Sequence, residues 1–140
     1  NGTKALMASE EAGAKEVLVG AFPNIDAVAQ YVQGKALPAI VVCAGWKGRF
    51  CLEDTLFSGG LAHRLRGSYT QECDATNSAR WLYEQHENDL KEALSNTDHA
   101  RRLRKLGADR AESVQKDLIF CATEGGIQAV PTLREGKLYV

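Results

Sequence analysis

Apolar positions along this chain come in two rhythms. Ala5, Leu6, Ala8 and Ala12 recur at helical spacing behind Asn1-Gly2-Thr3, with Thr3 placed to cap and Gly13 placed to end the helix. Ile25, Val28, Ala29 and Val32 repeat the spacing up to Gly34, and Leu56, Phe57, Gly60, Leu61 and Leu65 repeat it again ahead of Gly67. From Asp74, which stands where a cap belongs, Ala75, Ala79, Leu82, His86 and Leu90 share one side until Asn96-Thr97-Asp98 interrupts the run. Residues 99–107 (HARRLRKLG) and 109–116 predict two more short helices. The second rhythm is continuous rather than periodic: EVLVG at 16–20, AIVVC at 39–43 and LIFC at 118–121.

Continuous apolar runs suit strands buried on both faces, which implies a mainly parallel sheet between helix layers. The pattern therefore predicts a three-layer α/β/α fold with a mainly parallel sheet. A short C-terminal edge hairpin completes it, with residues 130–133 facing 138–140 across Glu135-Gly136. No repeat, low-complexity stretch or linker divides the chain, so residues 1–140 read as a single α/β domain.

Composition narrows the partners. The 140 residues are 44% hydrophobic and 25% charged, with 17 basic and 18 acidic side chains and a net charge of −1. That balance gives no reason to expect nucleic acid. No apolar run approaches the roughly 18 residues of a membrane span, so no membrane partner is expected either. The four cysteines form no CxxC pair and the three histidines are not spaced to complete a zinc site. Reduced thiols and a cytoplasmic location are the expectation.

Chemistry concentrates in residues 40–60, IVVCAGWKGRFCLEDTLFSGG, where a predicted strand passes through a glycine-punctuated loop into a helix. Glu53 and Asp54 fall in the first turn of that helix, where complementing the dipole is reason enough for them. Their position at the carboxyl end of a parallel strand, where ligand crevices form, is the reason to consider them functional. Such oxygen ligands suit Mg²⁺, which takes one or two protein carboxylates and fills its shell with water and phosphate. Gly45 and Gly48 can shape a loop that offers amides to an anion, with Lys47 and Arg49 adding charge; a solvated turn is the alternative. It is not a Walker A loop. Trp46 reads as a wall, a lid or a core aromatic. Cys43 and Cys51 flank the loop without the cysteine–arginine cradle of tyrosine phosphatases. His99 beside Asp98 can be read as a general acid or as a surface residue. His63 and His86 read as packing residues, and Arg101, Arg102, Arg104 and Lys105 as a solvated helix end.

The segment VCAGWKGRFCLEDTLFSGG, preceded by NGTKAL and VLVGAFPN, resembles the 2-phosphosulfolactate phosphatase family of coenzyme M biosynthesis. The likeness runs in order and spacing from Asn1 to about Leu106 and thins after Gly107. It implies Mg²⁺-dependent hydrolysis of a phosphate ester on a small sulfonated hydroxy acid. It points to Glu53 and Asp54 as site-lining, and their carboxylate chemistry makes them the expected catalytic and metal-binding residues. It also points to Asn1, Gly2, Thr3, Cys43, Ala44 and Gly45 as lining the site, to which the loop chemistry adds Lys47 and Arg49. Family members are longer, and their Asp-x-Leu-Arg-Ala and Gly-Asn-Ser-Pro stretches do not occur here. Cys51 stands where serine or alanine is common, leaving the helix without a strong side-chain cap. The expectation is therefore the C-terminal portion of a longer two-part phosphatase, with the absent N-terminal half completing the site and little chemistry in this piece alone. The competing expectation is a non-catalytic small-anion-binding or assembly domain of the same origin. The oligomeric state is not readable, and a homo-oligomer is compatible with the sequence.

Overall fold

The computed structural model describes residues 2–71, 73–106 and 111–140. The expected helix boundaries at Gly107 and Asp109 lie outside the described residues. Among the described residues seven α-helices run in chain order: α1 (Gly2–Glu11), α2 (Ile25–Lys35), α3 (Leu52–Leu65), α4 (Asp74–His86), α5 (Leu90–Ser95), α6 (Asp98–Leu106) and α7 (Ala111–Cys121). Three short strands, β1 (Val17–Leu18), β2 (Thr132–Arg134) and β3 (Lys137–Tyr139), form one sheet in the order β1-β2-β3. Both pairings are antiparallel, with Val17 opposite Leu133 and Leu138 opposite Leu133 on the other side.

This overturns the three-layer α/β/α expectation with its mainly parallel sheet. The chain is predominantly helical around a small antiparallel sheet. Two apolar runs account for the difference. LIFC continues α7, because Val114, Leu118 and Ala122 recur every fourth residue and are the half-buried ones, leaving Ile119 and Phe120 exposed. Residues 39–43 form no strand, and Ile40 is 90% exposed. A short apolar run does not by itself distinguish strand from helix, and an extended segment becomes a strand only when a neighbour pairs with it. The C-terminal hairpin does form around Glu135-Gly136, although β2 is the central strand and only β3 is the hairpin's edge.

The core gathers where α2, α3, α4 and α5 meet. Ile25 and Leu56 are completely buried, and Phe22, Val28, Ala29, Leu61, Leu65, Tyr83, Leu90 and Leu94 surround them. α3 and α4 approach closely because Gly59 and Gly60 carry no side chain. A Cβ on Gly59 would lie 2.0 Å from the Ala79 carbonyl oxygen, and one on Gly60 would lie 2.9 Å from the Tyr83 ring. Asn24, buried in the 3₁₀ turn Phe22–Asn24, donates to the carbonyls of Val19 and Ala129 and accepts from the Ala21 amide. Those bonds fasten the exit of β1 to the approach to β2.

Ionic contacts lock the helices from outside the apolar core. Arg64 on α3 bonds Asp26 of α2 at 2.7 Å, Tyr83 of α4 at 3.3 Å and Glu124 beyond α7 at 3.2 Å. Burial alone would lower the Arg64 pKa, but its bonds to Asp26 and Tyr83 and the charge of Glu124 more than offset this and raise it. Glu84 gathers Arg80, His63 and Arg66 between α3 and α4. The two histidines expected to pack lie within hydrogen-bonding distance of carboxylates, His63 of Glu84 and His86 of Asp89.

Candidate functional site

The loop between residues 43 and 52 is built from its glycines. Lys47 (φ 50°) and Gly48 (φ 73°) occupy the centre of a tight turn closed by two backbone bonds between Trp46 and Arg49, at 3.0 and 2.9 Å. Successive positive φ values are the signature of a type I′ turn. Gly45 (φ 63°) is held from behind, since its amide donates to Asp54 Oδ2 at 2.7 Å. A Cβ there would come within 2.5 Å of the Arg49 carbonyl oxygen. The amides of Gly45, Trp46 and Arg49 thus serve the loop itself, so the anion contact expected from this loop falls to its side chains.

α3 starts after Cys51, whose side chain makes no capping bond. The two consecutive carboxylates diverge, as neighbours on a helix must. Asp54 turns back to Gly45, whereas Glu53 faces a cleft of about 280 Å³ between the loop and the start of α6. Trp46, Arg49, Phe50, Cys51, Leu52 and Glu53 form one wall of that cleft; Thr97, Asp98, His99, Arg101 and Arg102 form the other. Thr97 starts α6 by accepting the Ala100 amide on its hydroxyl at 3.1 Å, while the same hydroxyl donates to the Leu94 carbonyl. That buried cap aims the first turn of α6 at the loop.

Across the cleft, His99 Nδ1 lies 3.1 Å from Glu53 Oε1. The Trp46 indole meets the His99 ring edge-on at 6.2 Å and the Arg102 guanidinium at 5.1 Å, and Lys47 Nζ lies 5.9 Å from the same ring. Three guanidinium groups face two carboxylates, so the lining is biased towards anions. Asp98 is held below the usual carboxylate range by its bond to Arg101, with Arg102 and Arg49 adding to the effect. The thiols are pushed the other way. Burial, then the negative charge of Asp54, raises Cys43; burial, then Glu53 and Asp54, raises Cys51. Neither is poised as a thiolate nucleophile.

Of the residues singled out from sequence, Arg49 and Glu53 line the cleft and Asp54 and Gly45 brace its loop. Lys47 lies along the outer Trp46 face, Cys43 and Ala44 are exposed before the turn, and neither they nor Lys47 line the cleft. Gly2 and Thr3 begin α1, exposed and away from the cleft lining, while Asn1 lies outside the described residues. The second wall is less legible: Arg101 and Arg102 read as a solvated helix end and His99 as a general acid or a surface residue, because nothing local ties them to a loop about fifty residues earlier. The one available signal was Asn96-Thr97-Asp98, a helix start that collects cations and a histidine in two turns.

Oxygen donors decide whether Mg²⁺ suits this site. Among the described residues no group of three or more His, Cys, Asp or Glu gathers around one point. Glu53 alone turns a carboxylate into the cleft from α3, because Asp54 is committed to the loop. This fits a Mg²⁺ ion held through one protein carboxylate, with water and phosphate oxygens supplying the rest of the shell.

In this helix-rich domain a carboxylate–histidine pair shares a small cleft with several guanidinium groups, a lining suited to an anion. The profile of the family described as 2-phosphosulpholactate phosphatase matches residues 1–136, and the chain belongs to that family. Relatives named probable 2-phosphosulfolactate phosphatase include a Caldanaerobacter subterraneus protein, 34% identical over 97% of this chain and 54% of its own length. A Thermotoga petrophila protein is 35% identical over 97% of this chain and 55% of its own. A Gloeobacter violaceus protein is 36% identical over 94% and 51%. The chain spans about half the length of the curated relatives it matches.

Proposed function

We propose that this chain forms one wall of a Mg²⁺-dependent phosphatase that hydrolyses a 2-phosphosulfolactate-like ester in the cytoplasm. The observation that carries the reading is the Glu53–His99 pair in a cleft lined by Arg49, Arg101 and Arg102. Four free thiols fit the reducing compartment. The part of the family length that this chain does not span is proposed to complete the site.

Glu53 is the residue proposed to hold Mg²⁺, which when bound polarises the phosphoryl group and neutralises charge on its oxygens. Asp54 contributes indirectly, by keeping Gly45 and hence the Trp46–Arg49 turn against α3. His99 contacts the Glu53 side chain through Nδ1, and its Nε2 is the atom proposed to carry a proton towards a leaving oxygen. Guanidinium groups of the cleft attract the dianionic ester and balance charge that builds on it. Trp46 and Phe50 narrow the opening.

The test uses the intact protein, with phosphate release from 2-phosphosulfolactate as the readout. Glu53→Gln is expected to lower kcat/KM at least ~100-fold, against a smaller loss for Asp54→Asn. Removal of divalent metal by a chelator is expected to abolish activity, with Mg²⁺ restoring it. Unchanged kcat/KM in both variants sinks the assignment. The second reading, an anion-binding domain without chemistry, draws on the same guanidinium lining. It is the reading left standing if the intact protein binds phosphate and releases none from the ester.

A further inference from the structure

One cation of the cleft is unusually placed. Arg102 lies with its guanidinium 5.1 Å from the centre of the Trp46 ring. Its Nη2 is shut off from solvent and makes no hydrogen bond among the described residues. Arg101, its neighbour, is already engaged by Asp98 and by the Asn96 carbonyl. Arg49 approaches from the loop and forms no ion pair among the described residues.

A guanidinium stacked on an indole keeps its donors in a fixed plane and is easily matched by an oxyanion. An unpaired donor on a charged group is unfavourable and is satisfied well by a carboxylate or sulfonate, two of whose oxygens can accept in parallel. Trp46 meets both the His99 ring and the Arg102 guanidinium, so Arg102 reaches a portion of the ligand next to the phosphate proposed to react at Glu53 and His99. We infer that Arg102, supported by Trp46 and joined by Arg49, is the specificity subsite for a non-reacting acid group of the ligand, a carboxylate or sulfonate. The inference rests on the phosphatase reading for the identity of the ester, but the subsite can be measured without any turnover.

The probes are sulfoacetate, which carries a sulfonate and a carboxylate but no phosphate, and inorganic phosphate, each titrated calorimetrically into the intact protein. Arg102→Leu is expected to weaken sulfoacetate at least ~10-fold and phosphate less than ~2-fold, with Arg102→Lys between wild type and Leu. In turnover of 2-phosphosulfolactate the same substitution is expected to raise KM by a larger factor than it lowers kcat, because the contact is chiefly one of binding. Trp46→Leu, which keeps the charge and removes its support, gives the same direction if Arg102→Leu does not fold, and Trp46→Phe preserves binding. Equal weakening of both probes, sulfoacetate binding indifferent to Arg102 and Trp46, or no sulfoacetate binding by the wild type overturns the inference. Arg102-dependent sulfoacetate binding in a protein that releases no phosphate upholds the subsite and removes the phosphatase reading instead.

Discussion

The carboxylate of Asp54 accepts the Gly45 amide at 2.7 Å, and a Cβ on Gly45 would press to 2.5 Å against the Arg49 carbonyl oxygen. The loop therefore reaches α3 only with a small residue at one contact and an acceptor at the other. Asp54→Ala is expected to lose about 1.5–3 kcal/mol of stability, the usual worth of a hydrogen bond to a charged group. Asp54→Asn loses less, because its amide oxygen still accepts. Urea unfolding of the two variants checks this, and equal stability of Ala and wild type removes the bracing role. At this scale the sequence was informative about residue type and less so about duty. As acidic residues in one first turn Glu53 and Asp54 look equivalent by type, yet one faces ligand space and the other fastens a turn.

Between elements, closeness is decided by glycines that look alike in the sequence. Gly59→Ala puts a methyl group 2.0 Å from the Ala79 carbonyl, so α3 and α4 must separate, at about 2–4 kcal/mol by comparison with overpacked cores. Gly34, inside α2, has nothing within 4 Å of an added Cβ. Gly34→Ala is expected to stabilise by about 0.4–1 kcal/mol through a less flexible unfolded chain. Thermal denaturation distinguishes the two, and a Gly59→Ala protein as stable as wild type contradicts the packing described for α3 and α4. The Glu84 cluster joins the same helices and carries a pH signature. Bonds from Arg80, then His63, hold the Glu84 carboxyl below its ordinary pKa. A carboxylate depressed in the folded state stabilises above its unfolded pKa and loses that contribution as pH falls through the folded one. Glu84→Gln is thus expected to lower Tm at pH 7 and to leave it unchanged at pH values below the ordinary carboxylate range. A Tm difference that persists in acid argues for packing rather than charge.

For the molecule as a whole, burial separates side chains that hydropathy treats alike. Leu56 is fully buried where α2, α3 and α4 meet, and Leu56→Ala is expected to cost about 2–5 kcal/mol. Ile40, from the most apolar run in the chain, is 90% exposed, and Ile40→Thr should stay within about 0.5 kcal/mol of wild type. Chemical denaturation of the pair measures both, and a large loss at Ile40 contradicts its exposure. Among the described residues no helix is long and apolar enough to cross a membrane.

By itself the sequence determined most of the helices, because apolar side chains at a 3.6-residue period must share a face whatever they later pack against. It determined the C-terminal hairpin, through the turn at Glu135-Gly136, and the family, through the residues from Val42 to Gly60. Tertiary structure alone decided whether the short apolar runs became strands. Pairing is a property of two segments, and 39–43 has no strand beside it among the described residues, while LIFC joins a helix that buries its Val114–Leu118 face. It also decided the site. Glu53 and His99 are forty-six positions apart and meet because Thr97 caps α6 towards the loop, a coincidence of direction that no local spacing encodes.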